Sequence, residues 1–265
     1  MIDISKIDYS FLDRPEILMF LFHPRPEYGS RAGEAAGEVL IPVEADVVVG
    51  GRFYISGKDA PNILFFHGNG EIVADYEDIA PLYTRLGLNF MPVDYRGYGR
   101  STGRPTITAM IRDSHVIFDY VQNYLHEKSH TGPLIVMGRS LGSASALELI
   151  SCYDTQINGL IIESGFAYAE PLLTLLGIDI KAMNIQEEDG FRNIDKIRTF
   201  PKTTLIIHAE KDHIIPFSDG QALYDACPSQ DKRLLKIPKA NHNDIFLRGM
   251  SEYMEAIKEL AEKIK

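Results

Sequence analysis

Five stretches of the chain are short, nearly unbroken apolar runs: NILFFHG (62–68), LNFMPVDY (88–95), PLIVMGRS (133–140), NGLIIES (158–164) and TTLIIHA (203–209). A strand exposed on one face alternates apolar and polar positions, whereas a strand covered on both faces does not, so these runs predict buried strands of a parallel sheet. Upstream, EVLIPVEADVVVGGRFYIS has β-branched runs that predict a hairpin broken at Gly50-Gly51. Helical patterns fill the gaps at roughly 72–86, 107–126, 141–152, 218–226 and 249–264. In the second, Ile107, Met110, Ile111, Ile117, Tyr120, Val121 and Tyr124 recur at three- and four-residue spacing and mark one buried face. Strand–helix alternation of this kind predicts an α/β fold, a mostly parallel sheet with helices on both faces. Function in such sheets gathers beyond the carboxyl ends of the strands.

Two segments break the rhythm. Residues 165–200 are long for a connection and carry an apolar patch, PLLTLLGI (171–178), before a polar stretch; they are expected to form a small helical cap, a helix packed on the sheet being the plainer alternative. Residues 1–44, including an irregular Pro- and Gly-rich stretch from about 22 to 37, are expected to be an N-terminal extension packed on a catalytic domain of residues 45–265.

The carboxyl end of the third apolar run carries the first candidate chemistry. Gly138-Arg139-Ser140-Leu141-Gly142 joins a strand pattern to a helix pattern, and a tight turn there would lift the serine hydroxyl clear of the sheet. The spacing alone is weak, since chance gives roughly 0.1 such match in a chain of this composition. Context strengthens it. Asp212 follows the last buried run, where a carboxylate can orient an imidazole and stabilise its charge, with Glu210 and Glu163 as competitors. His242, in ANHND (240–244) after LLKIP, comes third in the order Ser140, Asp212, His242. His67-Gly68-Asn69-Gly70 ends the first run; the amides of Asn69 and Leu141 are the candidate oxyanion-hole donors, and His67 is read as pinning its loop.

Composition narrows the classes. The 265 residues carry a net charge of −10, which disfavours a phosphate backbone as partner, so no nucleic-acid binding is expected. The N-terminal apolar run is six residues, too short for a signal peptide core or a membrane span. Two cysteines, Cys152 and Cys227, cannot make a disulfide framework, and the expected location is cytoplasmic. No metal-ligand spacing is present among the 8 histidines, and neither metal nor cofactor is expected.

HGNG (67–70), DYRGYGRSTG (94–103), GRSLGS (138–143), HAEKDHIIP (208–216) and ANHND (240–244), in that order, resemble the α/β-hydrolase superfamily over about residues 45–265. The likeness runs to small bacterial hydrolases with HGN and DYRGYG loops, similar also to prolyl-oligopeptidase-type and acyl-protein-thioesterase-like domains. It implies an eight-stranded, mostly parallel sheet, with Ser140, Asp212 and His242 on loops at its carboxyl edge. One departure is Ala209, where the family usually has glycine. It also implies that Arg96 anchors the DYRGYG loop. Arg139 is read as pairing with Glu163 or pointing at substrate. The expected reaction is hydrolysis of a small-molecule ester or thioester; a peptidase with the same triad and a catalytically silent binding scaffold are the alternatives.

Overall fold

A computed structural model describes residues 2–27 and 37–264. The expected irregular stretch from 22 to 37 therefore lies in part outside the described residues. The chain divides into two compact units, Met1–Leu134 and Ile135–Lys265.

In the first unit, β1 (Glu38–Glu44), β2 (Val47–Arg52), β3 (Asn62–Phe66) and β4 (Asn89–Val93) lie in the order β1-β2-β4-β3. β1–β2 and β2–β4 are antiparallel and β3–β4 is parallel. The hairpin turns at Ala45-Asp46, where Glu44 pairs with Val47, and not at Gly50-Gly51. Both glycines lie inside β2. A Cβ on Gly51 would sit 3.2 Å from the Pro92 carbonyl oxygen, and one on Gly50 3.1 Å from Asp94 Oδ2. Gly51 leaves room for β4 and Gly50 for the side chains of Asp94 and Arg100, a use of glycine that sequence cannot distinguish from a turn.

The helices of this unit are α1 (Pro15–Leu21), α2 (Ala80–Arg85) and α3 (Ile107–Glu127). The expected helix at 72–86 is instead a 3₁₀ turn, Val73–Tyr76, followed by the short α2. α3 matches its pattern: Ile107, Met110, Ile111, Ile117 and Val121 are buried. Its first turn is capped twice, by Thr106 Oγ1 accepting from the Ala109 amide (3.0 Å) and by Asp13 accepting from the Ile107 amide (2.7 Å).

In the second unit, β5 (Leu134–Arg139), β6 (Gly159–Glu163), β7 (Thr203–Ala209) and β8 (Lys232–Ile237) run in that order, each parallel to the next. Between and after them come α4 (Gly142–Cys152), α5 (Ala169–Leu175), α6 (Asn193–Ile197), α7 (Phe217–Ala226) and α8 (Ile245–Lys263). Every residue of β5 and β6 is buried, which is why they read as continuous apolar runs. Residues 165–200 hold α5, a 3₁₀ turn and α6. α8 begins four residues earlier than its apolar pattern predicts and breaks helical geometry at Gly249, where a Cβ would lie 2.7 Å from Ile237. The eight strands and their mostly parallel pairing agree with the expected α/β class. Among the described residues, no helix is long and apolar enough to cross a membrane.

Candidate active site

Ser140 follows β5 directly and has φ of +50°, a left-handed conformation that non-glycine residues seldom adopt. Its amide donates to the Glu163 carbonyl (2.9 Å), and its carbonyl accepts from Ser143 Oγ (2.6 Å). The turn is steric as well as hydrogen-bonded. A Cβ on Gly138 would lie 2.4 Å from the Gly142 carbonyl oxygen, so no other residue fits there without moving the backbone. Leu141 is buried as the N-cap residue of α4, which places its amide at the positive end of that helix.

His242 brings the parts together. Its Nε2 lies 2.9 Å from Ser140 Oγ and its Nδ1 2.8 Å from Asp212 Oδ2, and the residue is only 4% exposed. Asp212 uses its other oxygen to accept from the amides of Ile214 (3.0 Å) and Ile215 (2.9 Å). Burial pushes the Asp212 carboxyl up. The hydrogen bond and charge of His242, with those two amides, outweigh burial and hold it below the usual carboxylate range. A carboxylate kept ionised can hold Nδ1–H in place, leaving the Nε2 lone pair for the serine proton.

The competing carboxylates are otherwise engaged. Glu210 accepts from the Lys239 amide at 2.7 Å. Glu163 faces Arg139 (3.6 Å) and accepts from the Tyr253 hydroxyl at 2.6 Å. Arg139 also donates from Nη2 to the His242 carbonyl at 3.1 Å, so it supports the loop that carries the imidazole.

One residue here had no sequence reading. His208, at the end of β7, is fully buried; its Nε2 faces the Ile215 carbonyl at 2.8 Å and stands 3.7 Å from Asp212 Oδ2. Burial lowers its pKa, so it stays neutral and donates to Ile215, fixing the turn whose amides hold Asp212. Gly220 gives it room, since a Cβ there would lie 2.5 Å from His208 Nδ1. The HxxxD spacing was visible in the sequence, but nothing in it separates a packing histidine from this one.

Beside Asp212 lies a cavity of about 270 Å³. α5 contributes Pro171, Leu172 and Leu175; Phe166, Ile214 and Pro216 complete most of the wall.

In the first unit, Asn69 is held by its side chain. Oδ1 accepts from the His23 amide (2.8 Å) and the Tyr98 hydroxyl (2.6 Å), and Nδ2 meets His23 Nδ1 at 2.8 Å. His67 is buried, with Nδ1 2.8 Å from the Gly68 carbonyl and Nε2 3.2 Å from Asp94 Oδ1. Arg96 anchors the DYRGYG loop through both oxygens of Asp113, each at 2.7 Å.

The family model described as serine aminopeptidase, S33, matches residues 57–184. The chain is 29% identical over 197 residues to protein bem46 of Schizosaccharomyces pombe, covering 72% of this chain and 64% of that protein. It is 30% identical over 211 residues to the human alpha/beta hydrolase domain-containing protein 17B, covering 76% of this chain and 66% of that protein. The matched region thus spans just under two thirds of these relatives. In structure it is similar to the esterase Pf2001 of Pyrococcus furiosus, with a TM-score of 0.71 at 17% identity over 91% of this chain and 99% of that one. Fold, motif order and relatives agree: the chain belongs to the α/β-hydrolase superfamily and is of a hydrolase family.

Proposed function

We propose that the protein is a serine hydrolase that cleaves carboxylic esters or thioesters through an acyl-enzyme. The observation that carries this reading is the Ser140–His242–Asp212 relay, with both contacts at hydrogen-bond distance. His242 takes the Ser140 proton as Oγ attacks the carbonyl carbon, and Asp212 stabilises the imidazolium. The Leu141 amide is the oxyanion donor of this proposal, and Asn69 is carried as the second on the strength of its place in HGNG. Two donors favour the tetrahedral oxyanion over the flat carbonyl, and that difference lowers the barrier. The imidazolium then protonates the leaving oxygen or sulfur, and water repeats the sequence on the acyl-serine. No step requires a cofactor.

The test is turnover of p-nitrophenyl acetate and a matching thioester by the wild-type chain beside Ser140→Ala. Turnover that survives in Ser140→Ala, or labelling by a fluorophosphonate that survives there, removes the reading.

A second reading keeps the same triad and cleaves aminoacyl bonds. The match to the serine aminopeptidase model favours it, and Asp219, at the cavity wall, is the carboxylate that would hold a free amine. Aminoacyl-naphthylamides turned over faster than esters would put this reading first.

A further inference from the structure

We infer that Arg139 and Glu163 are positioning residues for the triad: together they tie the main chain of His242 to the turn that carries Ser140, and so set the distance from base to nucleophile. The inference rests on Ser140 and His242 acting as proposed above, and it adds what keeps the two in place.

The sheet brings the pair together. Arg139 ends β5, Glu163 ends β6, and the two are partners in the parallel register, so their side chains leave the same face. Both residues are buried. A buried charge is costly unless it is paired, and each of these has the other.

Glu163 works through its main chain and both carboxylate oxygens. Its carbonyl accepts from the Ser140 amide at 2.9 Å, which holds the backbone of the nucleophile. Oε1 faces Arg139 Nη1 at 3.6 Å, an ion pair rather than a hydrogen bond. Oε2 accepts from the Tyr253 hydroxyl at 2.6 Å, and Tyr253 stands on α8, the helix that follows the His242 loop.

Arg139 closes the circuit. Its Nη2 donates to the His242 carbonyl at 3.1 Å, the imidazole of that residue meets Ser140 Oγ at 2.9 Å, and Ser140 is the next residue after Arg139. Other bonds hold the neighbours of His242. The Lys211 amide donates to the Ala240 carbonyl (2.8 Å) and the Asn241 amide to Asp244 Oδ1 (2.7 Å). Arg139 acts on His242 itself: Asp212 orients the ring, and Arg139 the backbone from which the ring hangs.

The residue type fits the task. A guanidinium is a rigid fork that can face Glu163 with one nitrogen and donate to a carbonyl with the other, whereas an ammonium is a single point on a flexible stem. Misplacing a reacting group by about 1 Å can cost roughly 10²-fold in rate, so a slackened circuit should act on kcat.

Two variants separate positioning from simple stabilisation. Arg139→Lys keeps a charge beside Glu163 and loses the fork. Its kcat for p-nitrophenyl acetate is expected to fall roughly ten- to hundredfold, with KM within about threefold of wild type. The double variant Arg139→Met, Glu163→Gln removes both buried charges at once and leaves an amide oxygen that can still accept from Tyr253. Its Tm is expected to stay near that of wild type while kcat remains low. A pair that only stabilised the fold would preserve kcat along with Tm, so wild-type kcat in the double variant overturns the inference. A kcat within about twofold of wild type in Arg139→Lys overturns it as well, and decides the matter if the double variant does not fold. Failure of the nucleophile reading shows itself differently, as turnover retained by Ser140→Ala.

Discussion

Two buried imidazoles, His67 and His242, each meet a carboxylate at hydrogen-bond distance, and of these two only His242 has a hydroxyl at its other nitrogen. His67 in the first unit has the Gly68 carbonyl at one nitrogen and the Asp94 carboxylate at the other, so the ring is clamped and neither nitrogen meets a hydroxyl. His242 in the second unit has a carboxylate at Nδ1 and a hydroxyl at Nε2. A hydroxyl can give its proton; a carbonyl cannot. Burial and the nearby acid are common to the two pairs. What separates the two histidines is the group at the second nitrogen.

That contrast can be broken experimentally. The largest effect is expected from His242→Ala, which should lower kcat for p-nitrophenyl acetate by about 10⁶-fold, with a smaller drop in Tm than His67→Ala because Asp212 keeps the Ile214 and Ile215 amides. A loss below a hundredfold would mean that another base serves Ser140. Asp212→Asn should cost about 10⁴-fold, because an amide no longer fixes the tautomer that leaves Nε2 unprotonated. His67→Ala should reverse the pattern. Leaving Asp94 buried with the Val73 amide but no imidazole should cost about 3 kcal/mol, seen as a drop in Tm of roughly 6–12 °C, while Ser140 still reacts with a fluorophosphonate. Loss of labelling with an unchanged Tm would contradict the clamp.

The smallest expected effect is on the pH dependence of stability. The folded-state pKa of His208 lies below its ordinary value, so as pH falls below about 6.5 the unfolded chain takes up a proton first. Stability therefore declines in that direction until the folded pKa is reached. His208→Gln keeps an N–H for the Ile215 carbonyl and removes the titration, so its Tm should fall less than wild type between pH 7.5 and 5.5. Parallel Tm curves would dismiss the effect. Asp212 acts lower on the scale: its depressed pKa contributes stability above about 3.9, lost as pH falls through the folded value.

Ser140 and Asp212, the proposed nucleophile and acid, stand out in the sequence because each closely follows a buried strand, and His242, the proposed base, by its place after them in chain order. Gly138 marks a turn that tolerates no Cβ, and the buried runs before Ser140 and Asp212 announce themselves by lacking alternation. β8 was far harder to see. Most of its residues are only half-buried or exposed, so LLKI shows neither a continuous run nor a clean alternation. The 72–86 segment misled in the other direction: its apolar spacing suits a helix, yet Asp75 accepts from the Ile72 amide at 3.0 Å and closes a tighter turn first. Gly50-Gly51 looks like a bend in the sequence and is clearance instead, for Asp94 and Arg100 at the first glycine and for β4 at the second. The cavity beside Asp212 could be guessed only as an apolar patch, since its volume depends on where α5 sits against the loop at 213–216.

Part of the support of Asn69 comes from 46 residues upstream, through His23, with Arg25 adding a bond to the Gly70 carbonyl at 3.2 Å and an ion pair with Asp75. An expression clone shortened to begin at residue 37 would keep β1 together with Ser140, Asp212 and His242 and lose the His23 and Arg25 tethers. Comparing the two clones would show how much of the HGNG loop's shape is borrowed from the leading segment, and a trimmed version should be chosen for screening only after that check.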